Sequence, residues 1–283
     1  MKIVINQTEI TYQLENERVL GDLLPSVQQY LFNSGQLVYD VHIDGIPMNA
    51  GDYTKNIEDI QLVEIVSGDI LEIEECMTRC KNLLQRLESG QGCDLQKCGD
   101  NITLWAKSCE FWLQDFSLPA DLFQTLFRLP SLSSDEDPTL YTKTLSIMLR
   151  CLEERDRELE DPIRMTLESM QGLVEKEGSL RDLGVNLQAN QDATSVYEIL
   201  LFMESLQKLK RVIQLLPESL DSLHHEVYAW VEQISQQLAA LVEAFDQKDF
   251  VLVADLAEYE VAERLGALQE VITRYTPLME HRE

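Results

Sequence analysis

Between residues 199 and 275, apolar side chains recur at steps of mostly three and four. Ile199, Phe202, Leu206, Leu209, Ile213 and Leu216 make the first run. Leu220, Leu223, Val227, Trp230, Ile234, Leu238, Leu241 and Phe245 make the second. Val253, Leu256, Val261, Leu265, Leu268, Ile272 and Tyr275 make the third. On a helix of 3.6 residues per turn such spacing gathers into one apolar stripe, which must be buried against something. Pro217 ends the first run, and Asp246-Gln247-Lys248-Asp249 reads as a turn before the third. Links this short make neighbouring helices antiparallel, so the spacing predicts an up-down bundle. The stripes are read as intramolecular core. A homodimer seam is the alternative, since each helix would be ~40 Å long at 1.5 Å per residue.

Upstream the pattern is helical back to Asp69. The spacing predicts helices from Asp69 or Ile70 to about Leu87, from about Asn101 to Gln114, and from Pro119 to Leu129. Another runs from Pro138 to about Leu159. Asp161-Pro162 reads as an N-cap followed by a first-turn proline, where a missing N–H costs nothing. Glu177-Gly178-Ser179 is expected to break that helix, and residues 184–193 are expected to be a connector. The helical region divides further into a hairpin region at 69–135 and a long-helix bundle at 137–283.

Residues 1–68 obey a different period. Ile3 and Ile5 alternate with Lys2, Val4 and Asn6; Ile10, Tyr12 and Leu14 alternate with Glu9, Thr11, Gln13 and Glu15. Period two means strands, joined by a hairpin at Asn6-Gln7-Thr8. Leu20, Leu23, Leu24, Val27, Tyr30 and Leu31 then give a helix, with Pro25 placed within about its first turn and Asn33-Ser34-Gly35 as its stop. Leu37, Tyr39, Val41 and Ile43 alternate in a third strand, followed by a turn at Asp44-Gly45 and Pro47. Ile60 to Val66 is apolar at nearly every position, which suits a strand buried on both faces. The fold class is therefore α+β.

The order strand, strand, helix, strand, strand, with an Ile43-Asp44-Gly45 turn after the third strand, resembles the ubiquitin-like β-grasp fold over residues 1–68. That resemblance implies a docking or scaffolding module. The diglycine tail used for conjugation is not matched, because the chain continues through Ser67-Gly68-Asp69. Residues 248–260 resemble a segment recurring in uncharacterised bacterial proteins with a similar start, a likeness that carries no activity with it.

Lys and Arg number 23 against 50 Asp and Glu, a formal charge of −27. Nucleic acid and anionic membrane surfaces are poor partners for such a chain. Residues 1–75 hold 3 of the basic and 14 of the acidic residues, so per residue the net negative charge there is about twice that of the remainder. Glu9, Glu15, Asp40 and Asp44 stand at outward strand positions, and a partner with a basic surface is expected, bound less tightly as salt rises. The N-terminus turns polar at once, and no run approaches a membrane span, so a cytoplasmic location with reduced cysteines is expected.

Few residues point to catalysis. Cys76 and Cys80 lie four apart on one helix face, and Cys93 and Cys98 flank the next loop. In an antiparallel hairpin Cys80 sits opposite Cys109 rather than near Cys93, so four thiolates cannot share one ion. Buried thiols acting as small apolar side chains are the expectation, with a cysteine-based metal or redox role as the alternative. His224-His225 reads as a solvated helix edge; Asp221-Ser222-Leu223-His224 is a single imperfect match to the paired Glu-x-x-His of di-iron bundles. Ser89-Gly90-Gln91-Gly92 lacks a phosphate-binding lysine and reads as a helix stop. Asp255 interrupts an apolar stretch, with Tyr259 one turn on. A bond to Tyr197, Lys208 or Arg211 is one reading, and a polar docking site including Asp255, Glu258 and Tyr259 is the other. The sequence thus predicts a non-enzymatic interaction protein without cofactor or resident metal, acting as adaptor, scaffold or chaperone.

Overall fold

A computed structural model describes residues 1–12, 17–89, 102–119, 121–128, 139–189 and 192–280. The chain forms two compact units, residues 1–155 and 156–283.

The first unit opens with a five-stranded mixed sheet of order β2-β1-β5-β3-β4. Its strands are β1 (Lys2–Ile5), β2 (Thr8–Ile10), β3 (Gln36–Ile43), β4 (Ile46–Pro47) and β5 (Leu62–Asp69). β1 and β5 are parallel, and the other pairs are antiparallel. Asn6 and Gln7 form the first hairpin turn with φ of 49° and 67°, and Asp44 and Gly45 form the second with 52° and 81°. Left-handed residues at both turn positions match the natural twist of paired strands. The second turn leads into β4, a two-residue edge strand that the sequence left inside the turn; Pro47 is tolerated there because an edge has no partner for its missing N–H.

Helix α1 (Leu20–Phe32) covers one face of the sheet with Leu20, Leu23, Leu24, Val27 and Leu31, against Ile3, Ile5, Ile43, Val63 and Ile65. It begins at Leu20, where Asp22 Oδ2 accepts the backbone N–H groups of Arg18 and Val19. Pro25 is therefore the sixth helical residue, past the first turn where it was expected, and removes the bond that would reach Gly21. Two further expectations change. β5 is not buried evenly on both faces: Val63, Ile65 and Ser67 are buried, while Leu62, Glu64 and Val66 alternate with them as half-buried residues. It also runs on to Asp69, pairing Ser67, Gly68 and Asp69 with Val38, Leu37 and Gln36. In β3 a bulge at Tyr39 lies between Val38 and Asp40, so Val38 and Val41, not Leu37 and Tyr39, join the core with Ile43. One extra residue shifts the period of two.

Helices α2 (Ile73–Glu88), α3 (Ile102–Trp112), α4 (Leu122–Arg128) and α5 (Thr139–Glu160) build the second core of this unit around Trp105, Leu113, Leu145, Met148 and Leu152. α3 also meets the sheet domain: Phe32 and Phe111 rings lie 5.6 Å apart, and Ser108 Oγ accepts the Leu71 N–H.

In the second unit α6 (Pro162–Val174) starts as expected, with Asp161 capping the Arg164 N–H. The break comes earlier than expected, at Glu175-Lys176, and Glu177-Gly178-Ser179 belongs to a helix, α7 (Glu177–Arg181). The expected connector is largely helical too, as α8 (Leu183–Gln188). Its Gly184 packs so tightly that an added Cβ would lie 2.6 Å from the Ala254 Cβ. The long helices are α9 (Asp192–Ile213), α10 (Asp221–Asp246) and α12 (Ala262–Glu280), the last preceded by α11 (Phe250–Asp255) and a π turn (Leu256–Val261). All three stripes face inward: Phe202, Leu209, Leu223, Val227, Ile234, Leu241, Val253, Val261, Leu265 and Leu268 are buried together. The stripe residues are thus packed within this unit.

Candidate functional site

The face of the sheet opposite α1 carries the clearest concentration of polar chemistry. Register puts Val4 across from Glu9 and Glu64, Glu64 across from His42, and Val66 across from Asp40. These residues, with Lys2 and Leu62, share one face because side chains alternate along a strand. Val4, Asn6, His42, Glu64 and Val66 line a shallow hollow of about 460 Å³ there. One end of the face is covered: Leu104 of α3 lies over Gly68, with 2.9 Å to the position of an added Cβ. The rest is open, an apolar strip of Val4, Leu62 and Val66 bordered by three carboxylates. Lys2 pairs with Glu9 at 3.0 Å, and His42 Nδ1 lies 3.8 Å from Asp40.

Glu9 and Asp40 thus come together on one surface, and Glu64 joins them. Glu64 went unremarked because it sits in an apolar run; the register of β5 is what exposes it. Asp44 has another task. Its Oδ1 accepts the N–H groups of Gln61 and Leu62 at 3.0 and 2.8 Å, pinning the start of β5 to the β3–β4 turn. Glu15 lies outside the described residues.

The second sequence-marked group lies in the other unit. Asp255 is exposed and makes no hydrogen bond or ion pair among the described residues, so the expected bond to Tyr197, Lys208 or Arg211 is not made. Arg211 pairs instead with Glu158 at 3.0 Å, with both side chains buried. Tyr259 is exposed at 60%, and Glu258 is half-buried. Asp255 ends α11 and Tyr259 stands in the π turn that follows. The signal for that turn was in the sequence. The buried residues Val253, Ala257, Val261 and Leu265 are spaced by four, which would carry a stripe about 120° around a regular helix. The wider turn, in which Ala262 N–H reaches Ala257, removes the drift.

The cysteines behave as core. Cys76, Cys80, Cys109 and Cys151 are buried thiols, not in disulfides. Burial, reinforced by Cys76, pushes the Cys80 thiol up to about 12, and Cys80 Sγ donates to the Leu145 carbonyl at 3.2 Å. Burial likewise raises Cys109, which is hydrogen-bonded to Cys76. A thiol held neutral is a poor nucleophile and a poor metal ligand. Cys93 and Cys98 lie outside the described residues. Among the described residues one group has metal-binding spacing, Asp221 with His224 and His225.

Comparison with known proteins divides the chain as its periods do. Residues 1–69 match the model of the TP0873 N-terminal domain, and residues 165–271 match a domain of unknown function, DUF8042. No curated protein and no solved structure matches the chain. Among the described residues, no helix is long and apolar enough to cross a membrane.

Proposed function

We propose that the chain is a non-enzymatic, cytoplasmic interaction protein, whose N-terminal domain is a ubiquitin-like β-grasp module that docks a protein partner with a basic surface. The parallel pairing of β1 with β5 and the single helix on one face support the β-grasp reading. The observation that carries the docking reading is the open sheet face, where Glu9, Asp40 and Glu64 border Val4, Leu62 and Val66. Apolar side chains there supply buried area, and carboxylates select a cationic rim on the partner. Buried thiols with raised pKa are inert, which favours an adaptor over a cysteine-based sensor.

The test is a methyl-detected NMR titration of the full chain with a peptide of lysines interleaved with leucines. Shifts should concentrate at Val4, Leu62 and Val66, weaken with added salt, and vanish in an Asp40→Lys/Glu64→Lys variant. Shifts spread over both units, or binding indifferent to salt and to charge reversal, would overturn the reading.

A further inference from the structure

The start of α10 holds a donor set that the docking reading does not use. Asp221, His224 and His225 lie three and four residues apart, and positions so spaced share a helix face. One donor atom from each lies within 4.8 Å of the others. Asp221 Oδ2 is 3.3 Å from His225 Nε2. The His224 ring stacks on Tyr228, with centroids 6.0 Å apart and planes 21° from parallel, and meets the His225 ring edge-on at 5.6 Å. Among the described residues His224 makes no hydrogen bond or ion pair, so its ring nitrogens are committed to nothing else.

The turn that carries these groups is anchored. Leu220, Leu223 and Val227 are all buried in the bundle core, so the backbone beneath the three side chains is held by packing. A shared ion sits about 2.1 Å from each nitrogen or oxygen donor, which brings donors within roughly 4 Å of one another. Modest side-chain rotation closes the remaining distance, and the exposed Asp221 and His225 have room for it beside the half-buried His224. Two imidazoles and a carboxylate suit zinc, nickel and copper ions rather than calcium or magnesium. The acidity of the chain raises the local concentration of cations. The positive end of the α10 dipole opposes a cation there, and the Asp221 carboxylate offsets it.

We propose that Asp221, His224 and His225 form a surface site for a divalent transition-metal ion, bound by two imidazoles and one carboxylate with its remaining positions open to solvent or to a partner's ligand. This site is independent of the docking reading, because neither uses the other's residues.

Cobalt titration of the reduced full chain tests it. The wild type should bind one Co²⁺ through nitrogen and oxygen, giving visible d–d bands without a thiolate charge-transfer band, and should broaden the Tyr228 resonances. A His224→Ala/His225→Ala variant should lose affinity by about tenfold or more, since even residues that merely orient ligands matter by that factor. Asp221→Asn should weaken binding while leaving the circular dichroism spectrum unchanged. Equal binding by wild type and double variant would overturn the proposal, as would a thiolate band that survives loss of both histidines.

Discussion

In the N-terminal sheet, Ile3, Ile5, Val63 and Ile65 go under α1, while Val4, Glu64 and Val66 turn outward on the same strands. In the unit spanning 156–283, helices surround a common core, and the buried charge at its edge is neutralised internally by Arg211 and Glu158. The first arrangement leaves the outer sheet face open except at the end that Leu104 covers. The second uses its apolar surface on itself. Gly68 of the sheet and Gly184 of the bundle both sit at close contacts. At Gly68 the obstruction is the flexible end of Leu104, and at Gly184 it is the Ala254 Cβ, fixed to its backbone. Gly68 has a neighbour that can yield, and Gly184 does not.

The largest effect should come from Glu158→Ala, which removes the fully buried carboxylate that pairs with Arg211. Chemical denaturation should show a loss of about 3–5 kcal/mol, while replacing both residues by apolar ones of similar size should recover most of it. A loss as small as that of a surface pair would mean that water reaches this site. Gly184→Ala should cost about 1–3 kcal/mol by forcing α8 from α11, with partial rescue by Ala254→Gly. Asp44→Ala should cost about 1–2 kcal/mol, because two backbone N–H groups lose their acceptor and alanine must hold a positive φ. Asp44→Asn, which keeps an acceptor and tolerates that φ, should cost less. Gly68→Ala should stay within about 0.5 kcal/mol, since Leu104 can rotate away. A penalty equal to that at Gly184 would erase the contrast between the regions.

The smallest effect concerns acid. The N–H and side chain of Arg164 hold the Asp161 carboxyl below its ordinary value. A depressed carboxyl stabilises the fold above its unfolded pKa of about 3.9, and that contribution fades as pH falls through the lower folded value. Asp161→Asn should keep the cap and flatten this part of the acid-unfolding curve. An unchanged curve would assign the acid sensitivity to other groups.

The period of each region was readable because burial imposes it. The stripes from Ile199 to Tyr275 and the strands of residues 1–10 follow directly from side-chain spacing. What escaped were local departures from period. The bulge at Tyr39, the short β4 and the π turn each add or shift a residue without changing composition. α7 and α8 were read as a break and a connector because Gly178 and Gly184 look like stops. At Gly184 the requirement is room for Ala254 rather than a turn. The open sheet face was half legible: Glu9 and Asp40 stood out by alternation, but Glu64 needed the register of β5. Glu158 and Arg211 are 53 positions apart, and no local rule pairs residues at that distance. Asp221 with His224 and His225 was visible as a string of letters, yet only the helix start at Asp221 brings the carboxylate alongside the rings.

The π turn between α11 and α12 absorbs one residue of the chain. A chain one residue shorter between Leu256 and Val261 would close there as ordinary helix, with Leu265 still within about 20° of the face of Val253. Leu265, Leu268 and Ile272 would keep pointing into the core they now fill. A single deletion should therefore do less harm in this stretch than in the middle of α10, where everything beyond it would rotate by about 100°.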